Sequence, residues 1–388
     1  MSWDIFFNDE HRVLAETVRR FAVREVQPRA DEPGNEEKKA RELVRLMAEA
    51  GLLRYVVPQA HEGVFPELDL RSLCIIREGL AYFSGLADTM FALQGLGSYP
   101  ITLAGKESLK HMVLPRVAHG QAVAAFAVTE PDAGSDVAAM QTSGRRDRNQ
   151  YVLNGTKTFI SNAGIADFYI VFAKTDPEQD RRGISAFFVE AATPGCVVER
   201  KLELVAPHPI GVMRFEDCCV PRESLLGAEG EGFKIAMKTL DVFRTTVAAA
   251  ALGMARRALD EAIAYSRTRI QFGRPLAEFQ GIQFKLAEMA SDLDAARLLV
   301  HRAAWKKDQG AERVTLESAM AKLYATEAAQ RIIDEAVQIH GGCGVVKGYA
   351  VERLYREVRA LRIYEGTSEI QKVVIARELL KETSEKKL

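Results

Sequence analysis

The sequence predicts an α+β multidomain protein. Three observations carry this: a helical period over the first third, short β-type runs in the middle, and a return of the helical period to the end. A chain of 388 residues is longer than one hydrophobic core usually organises, so two or three packed units are expected.

From Glu10 to about Arg116 apolar residues recur at helix spacing, with punctuation at Gly51, Pro58 to Pro66 and Pro100, which makes residues 1–119 an N-terminal helical domain. Residues 120–226 read as a central antiparallel β domain. Its runs are Gln150 to Leu153, Phe168 to Ala173, Gly183 to Val189 and Gly211 to Val220, and Asn154-Gly155 signals a hairpin turn. After the glycine-rich connection Gly227 to Gly232, residues 227–388 read as antiparallel helices. One stripe runs through Leu240, Phe243, Val247, Ala251, Met254, Ala258, Ala262 and Tyr265, and a second through Leu286, Met289, Leu293, Ala296 and Val300.

Apolar residues make up 47% and charged residues 27%, which is ordinary for a folded globular chain. A net charge of −1 with scattered basic residues argues against nucleic acid as a partner. The opening Met1 to Phe7 shows no basic leader before an apolar run, and no stretch reaches the length of a membrane span, so a cytoplasmic address without membrane insertion is the expectation. Five scattered cysteines without a C-x-x-C pair indicate neither a disulfide framework nor a zinc site. The seven histidines form no H-x-x-x-H pair, so no metal is expected.

Five segments bear on chemistry. Val128 to Val137 leaves a strand through a polar loop containing Gly134, which is either a ligand-binding loop or a solvated turn. Phe159 precedes the Ser161 hydroxyl by two positions, suiting a planar ring with a hydrogen bond nearby, although a strand phenylalanine is usually core. Arg267 to Pro275 ends a long helix, where cations follow from the helix dipole or from anion binding. Gln338 to Gly344 reads as a helix C-terminus with glycine caps; without a preceding strand it is no dinucleotide fingerprint. Tyr364-Glu365-Gly366-Thr367-Ser368-Glu369 puts an acid just before a helix start that Thr367 or Ser368 can cap. There Glu365 is either a capping acid or a catalytic carboxylate.

Taken together, in this order and spacing, these segments resemble the acyl-CoA dehydrogenase family over nearly the whole chain, and Phe7 to Arg12 resembles the opening of that family's first helix. The resemblance implies three domains ending in a C-terminal four-helix bundle, a homotetramer, and FAD extended between subunits. It also implies α,β-dehydrogenation of an acyl-CoA thioester to the 2-enoyl-CoA, with electron-transferring flavoprotein as acceptor. Glu365 matches the base, and the β-hydrogen passes as hydride to flavin N5. The segment from Phe126 through Val128, Thr129 and Gly134 to Ser135, together with Phe159, Ile160 and Ser161, matches positions that hold the flavin. Arg269, Phe272, Gln280, Gln338, Gly341 and Gly342 match positions that bind a neighbouring subunit's FAD, and Thr367, Ser368 and Glu369 match flavin contacts beside the base. Ser135, Asp241, Arg244 and Gly366 match the substrate side, Asp241 and Arg244 near the pantetheine arm.

The chain departs from the pattern in four places. Some relatives carry the base where Phe243 stands here, and phenylalanine cannot do that work. Phe159 replaces the usual tryptophan and Ser161 the usual threonine. Leu204 to Gly211 replaces a polar loop containing Arg and Ser or Thr, which puts ordinary fatty acyl specificity in doubt. With Ala92, Gly95 and Gly97 small in a segment expected near the acyl pocket, a branched or cyclic acyl group is the expectation. An acyl-CoA oxidase or other oxygen-using flavoenzyme of the same fold is the alternative.

Overall fold

A computed structural model describes residues 5–30, 32 and 34–385; of the opening stretch read for a leader, Met1 to Asp4 lie outside the described residues. The chain forms two compact units. The first comprises Met1–Glu32, Leu70–Asp88 and Asp241–Leu388, and the second Pro33–Asp69 and Thr89–Leu240. Among the described residues no helix is long and apolar enough to cross a membrane, and no His, Cys, Asp and Glu group could hold a metal.

The first unit is helical. Its opening helix, Asp9–Phe21, starts with a reciprocal cap: Asn8 accepts from the His11 backbone N–H, and the His11 ring accepts from the Asn8 N–H. The bundle is built from the Gly232–Thr268 helix from Asp241 onward, with Gln280–Asp308, Thr315–His340 and Ser368–Glu385. Both predicted stripes face inward. Phe243, Val247, Ala251, Met254, Ala258 and Ala262 are buried, as are Met289, Leu293, Ala296 and Val300.

The second unit carries an eight-stranded sheet: β1 (Ala124–Ala127), β2 (Ser143–Asp147), β3 (Gln150–Ser161), β4 (Phe168–Lys174), β5 (Ile184–Glu190), β6 (Cys196–Lys201), β7 (Ile210–Pro221) and β8 (Leu225–Leu226). The order is β6-β7-β3-β2-β4-β5-β8, with β1 beside β4. Most pairings are antiparallel as expected, but β1 and β2 each run parallel to β4. Tyr151, Leu153, Tyr169, Val171, Phe187, Val189, Met213 and Phe215 form its core.

The hairpin turn falls elsewhere than predicted. β2 and β3 are joined through Arg148 and Asn149, with Arg148 at φ 53°, while Asn154 and Gly155 lie inside β3 at a register shift against β7. Gly155 is there for close approach at a bulge: a Cβ would meet the Thr142 hydroxyl at 2.5 Å. The Asn-Gly pair marks a bulge because both flanking runs belong to one long strand.

Gly97 also has a packing reason. On the Gly85–Ala104 helix, its added Cβ would come within 2.7 Å of the Ala124 Cβ on β1. Gly97→Val is therefore expected to destabilise the protein by about 1–3 kcal/mol through overpacking, read as a lower denaturant midpoint at unchanged slope.

Candidate active site

The Tyr364 to Ser368 stretch joins the short helical turn Arg359–Arg362 to the Ser368–Glu385 helix. Two successive residues in it take positive φ, Glu365 at 52° and Gly366 at 93°. Glycine accepts this readily, but a glutamate there is strained by about 1–3 kcal/mol and persists only if its surroundings hold it. They do so through the carbonyls. Arg244 Nε donates to the Glu365 carbonyl at 3.1 Å, Lys322 Nζ to the Gly366 carbonyl at 2.6 Å, and Gln371 Nε2 to both at 3.3 and 2.9 Å. Thr367 caps the following helix, its hydroxyl accepting from the Ile370 N–H at 3.3 Å.

The Glu365 carboxylate is left out of this network. Its Oε2 is shut off from water and has no hydrogen-bond partner. Burial raises its pKa above the usual carboxylate range, opposed by the positive charges of Arg77, Arg244 and Lys322. The result is a carboxyl group whose buried Oε2 is bonded to neither cation nor amide.

Each neighbouring cation is anchored. Arg244 pairs with Asp241 at 3.2 Å, and Asp241 also accepts from the Thr315 hydroxyl at 2.9 Å. Arg77 forks onto Asp88 at 2.7 and 2.8 Å and donates to the Thr246 hydroxyl at 2.8 Å, with both side chains of the ion pair only 2% exposed. Lys322 is fully buried on the Thr315–His340 helix, and burial pushes its pKa down to about 8. Ser368 and Arg362 both donate to Glu327, which fixes the helix start from below. The sequence reading named Glu365, Asp241, Arg244, Gly366 and Thr367, and these are joined here. It missed Arg77, Asp88, Lys322 and Gln371. The available signal was a lone cation in an apolar helical run, as in Leu73 to Leu80 and Ala319 to Ala325. Phe243 is buried and offers no base.

The second unit supplies another set. β1 ends at Ala127, and the loop that follows is pinned by Lys157, whose Nζ donates to the Val128 carbonyl at 3.0 Å and to Glu130 at 2.8 Å. Burial lowers the Lys157 pKa to about 8. Burial pushes Glu130 the other way, but Lys157 and the Gln141 N–H hold it below the usual carboxylate range. Thr129 accepts from the Thr158 N–H at 2.9 Å, and Gly134 and Ser135 are exposed further along the loop. Phe126 packs on Phe172 with the rings tilted and their centroids 5.0 Å apart. Phe159 is not core: it sits at φ 55° where β3 slips against β7, and is 61% exposed. Ile160 is buried, and the Ser161 hydroxyl lies 3.0 Å from His208 Nε2.

Arg269, Gln280, Gln338, Gly341, Gly342 and Glu369 are exposed in the first unit, and Phe272 is 94% exposed at φ 52°. Glu369 is hydrogen-bonded to the Thr367 side chain; among the described residues no hydrogen bond joins Arg269, Phe272, Gln280, Gln338, Gly341 or Gly342 to the Glu365 cluster. A cavity of about 840 Å³ in the same unit, lined among others by Arg12, Glu16, Tyr82, Arg256 and Asp260, lies apart from that cluster, and the Glu78 carboxylate beside it is paired with Arg256 at 3.3 Å.

Removing Arg77 strands a buried Asp88. Arg77→Met is expected to destabilise the protein by about 3–5 kcal/mol, and adding Asp88→Leu to recover much of that loss, both read by equilibrium denaturation.

Three family models match the chain in succession: acyl-CoA dehydrogenase N-terminal domain over residues 8–121, middle domain over 125–218 and C-terminal domain over 230–380. A 3-(aryl)acrylate reductase of Clostridium sporogenes is 42% identical over 381 residues, covering 97% of this chain and 100% of the relative. An acyl-CoA dehydrogenase of Bacillus subtilis is 41% identical, covering 96% and 98%. The solved structure of butyryl-CoA dehydrogenase from Megasphaera elsdenii superposes with a TM-score of 0.91 at 36% identity, covering 98% of this chain and 100% of that one.

Proposed function

Because this chain belongs to the acyl-CoA dehydrogenase family and is an FAD-dependent oxidoreductase acting on acyl-CoA, we propose that Glu365 is the base that takes the α-proton of the thioester. The observation that carries the reading is its buried Oε2, partnerless on a bend that other groups hold in place.

The residues present fit FAD. Phe159 presents its ring outward from a strained bulge, as a flat ligand requires, and the Val128 to Ser135 loop offers hydroxyls and backbone beside it in sequence. Phe126, Val128, Thr129, Gly134, Ser135 and Phe159 to Ser161 would hold the ring and its neighbouring chain. Thr367 and Glu369 would add contacts near the base, and Arg269, Phe272, Gln280, Gln338, Gly341 and Gly342 would serve the FAD of a second copy in a homotetramer. FAD, when bound, supplies at N5 the acceptor for the hydrogen that leaves the β-carbon.

The chain's own part is proton chemistry. A thioester α-proton is weakly acidic, so its removal needs a base near its working range and donors for the developing enolate oxygen. Burial raises Glu365 toward that range, and bound acyl-CoA excludes further water. The Glu365 backbone N–H is the chain's donor to the thioester oxygen. Asp241, Arg244, Gly366 and Ser135 serve the substrate side. By microscopic reversibility the same carboxyl, protonated, would return the proton in the reductive direction that the Clostridium relative's name describes.

We further propose a branched or cyclic acyl group, supported by small Ala92 and Gly95 and by the aryl group in that relative's name, with electron-transferring flavoprotein as acceptor. An acyl-CoA oxidase is the rival, marked by rapid reoxidation of the reduced enzyme by oxygen.

Purified protein should release FAD on denaturation and bleach anaerobically with acyl-CoA thioesters. Glu365→Gln should slow bleaching by about 10²–10⁴-fold at unchanged FAD content; bleaching at the wild-type rate removes the assigned base. If every branched and cyclic thioester fails where straight-chain ones succeed, the acyl assignment falls.

Since the base works ionised, the forward rate should rise with pH through an apparent pKa above the ordinary glutamate range. Lys322 favours the charged carboxylate, so Lys322→Met should move that limb to higher pH, read from kcat/KM profiles.

A further inference from the structure

The Leu204 to Gly211 departure brings one side chain onto a flavin-matching position. The loop is tied to the end of β3: the Asn162 N–H donates to the Pro209 carbonyl at 2.8 Å, and Ser161 pairs with Ile210 in the sheet register. With Pro207 and Pro209 restricting the backbone on both sides, His208 is held so that its Nε2 lies 3.0 Å from the Ser161 hydroxyl.

The proton positions follow from the partners. Burial pushes the His208 pKa down to about 4, so at neutral pH the imidazole is uncharged and carries a single N–H. The Ala206 backbone accepts a hydrogen bond from this ring. With Nε2 turned to Ser161, the single N–H is assigned to Nδ1, which leaves Nε2 as an acceptor. Ser161 must then donate its one proton to His208, and what its oxygen can offer any other group is lone pairs.

We propose that His208 is a positioning residue that commits the Ser161 hydroxyl as a hydrogen-bond acceptor toward the FAD ring and so favours the reduced ring over the oxidised one. The inference rests on the placement of Phe159 to Ser161 against the ring proposed above. On two-electron reduction N5 gains a proton and changes from a lone-pair acceptor into an N–H donor. A hydroxyl free to rotate serves either form, whereas one whose proton is held by His208 serves only the donor form. Replacing the histidine by an apolar residue frees the hydroxyl to donate to the oxidised ring.

The test is the midpoint potential of the FAD-loaded protein, measured anaerobically against a reference dye, for wild type, His208→Leu, His208→Gln, Ser161→Ala and the double variant His208→Leu with Ser161→Ala. One hydrogen bond of ordinary strength corresponds to roughly a tenfold change in the reduced-to-oxidised ratio, or about 30 mV for a two-electron couple. His208→Leu and Ser161→Ala should each shift the potential negative by about that amount. The double variant should go no further than Ser161→Ala, and His208→Gln, whose amide oxygen can accept, should recover part of the shift. An unchanged potential in His208→Leu, or additive effects in the double variant, overturns the proposal. If His208→Leu does not fold, an unchanged potential in FAD-loaded Ser161→Ala overturns it equally. Protein that holds no FAD at all overturns the functional reading instead, whereas yellow protein with unaltered potentials overturns this inference alone.

Discussion

The left-handed bend at Glu365 and Gly366 is the constraint on which the first unit's chemistry depends. Its two carbonyls receive Arg244, Lys322 and Gln371, which come from three different helices. The cations therefore meet the peptide backbone instead of the carboxylate. Other buried acids of the same unit show the consequence of the opposite choice. Glu78, though burial works to raise it, is brought down to about 2 by His301, Arg256 and Arg297, and Asp88 is locked bidentate onto Arg77. A carboxylate so paired is a poor base. Glu365 feels several positive charges at one remove, which limits how far burial can raise it without consuming its lone pairs.

The second unit uses the same economy of buried charge for a different end. Lys157 and Glu130 are almost wholly buried, and together they satisfy the Val128 carbonyl and the Gln141 and Thr142 N–H groups. This pair fixes the path of the chain as it leaves β1, and Phe159 can then sit in an unfavourable backbone region one residue after the Thr158 to Thr129 hydrogen bond. Breaking a buried pair of this kind is strongly destabilising, although its net contribution to stability is small. Its value lies in holding a loop to one conformation.

The helices and most strands were legible because their burial follows a local period: the stripe from Phe243 to Ala262 is buried as spacing requires, and Phe168 to Lys174 and Ile184 to Glu190 pair as sheet neighbours. What escaped was set by partners far along the chain. Arg77 finds Thr246 across 169 positions, and Lys322 finds Gly366 across 44, and neither pairing leaves a trace in local pattern. Asn154-Gly155 misled for a related reason, since the two residues fit a turn and a bulge equally well and only the partner strand β7 decides. β2, β6 and β8 were missed because two runs with exposed charged residues and a two-residue run carry little alternation. The His208 to Ser161 contact belongs to the same class. The loop could be recognised as unusual, but not which side chain it delivers.

The bland account of Glu365, an acid capping a helix, can now be weighed against the geometry. A capping carboxylate accepts a hydrogen bond from the first turn, but here Thr367 takes that part with its own hydroxyl. The positive φ disfavours glutamate relative to glycine or asparagine. Burial disfavours its charged form, and Oε2 gains no hydrogen bond in return. Cap, backbone and solvation all argue for a different residue at this position, and none of the four neighbours Arg77, Arg244, Lys322 and Gln371 needs the carboxylate for its own hydrogen bonding. A residue that cap, backbone and desolvation oppose, with only the charges of Arg77, Arg244 and Lys322 in its favour, fits the proposed role of its carboxylate toward a bound molecule.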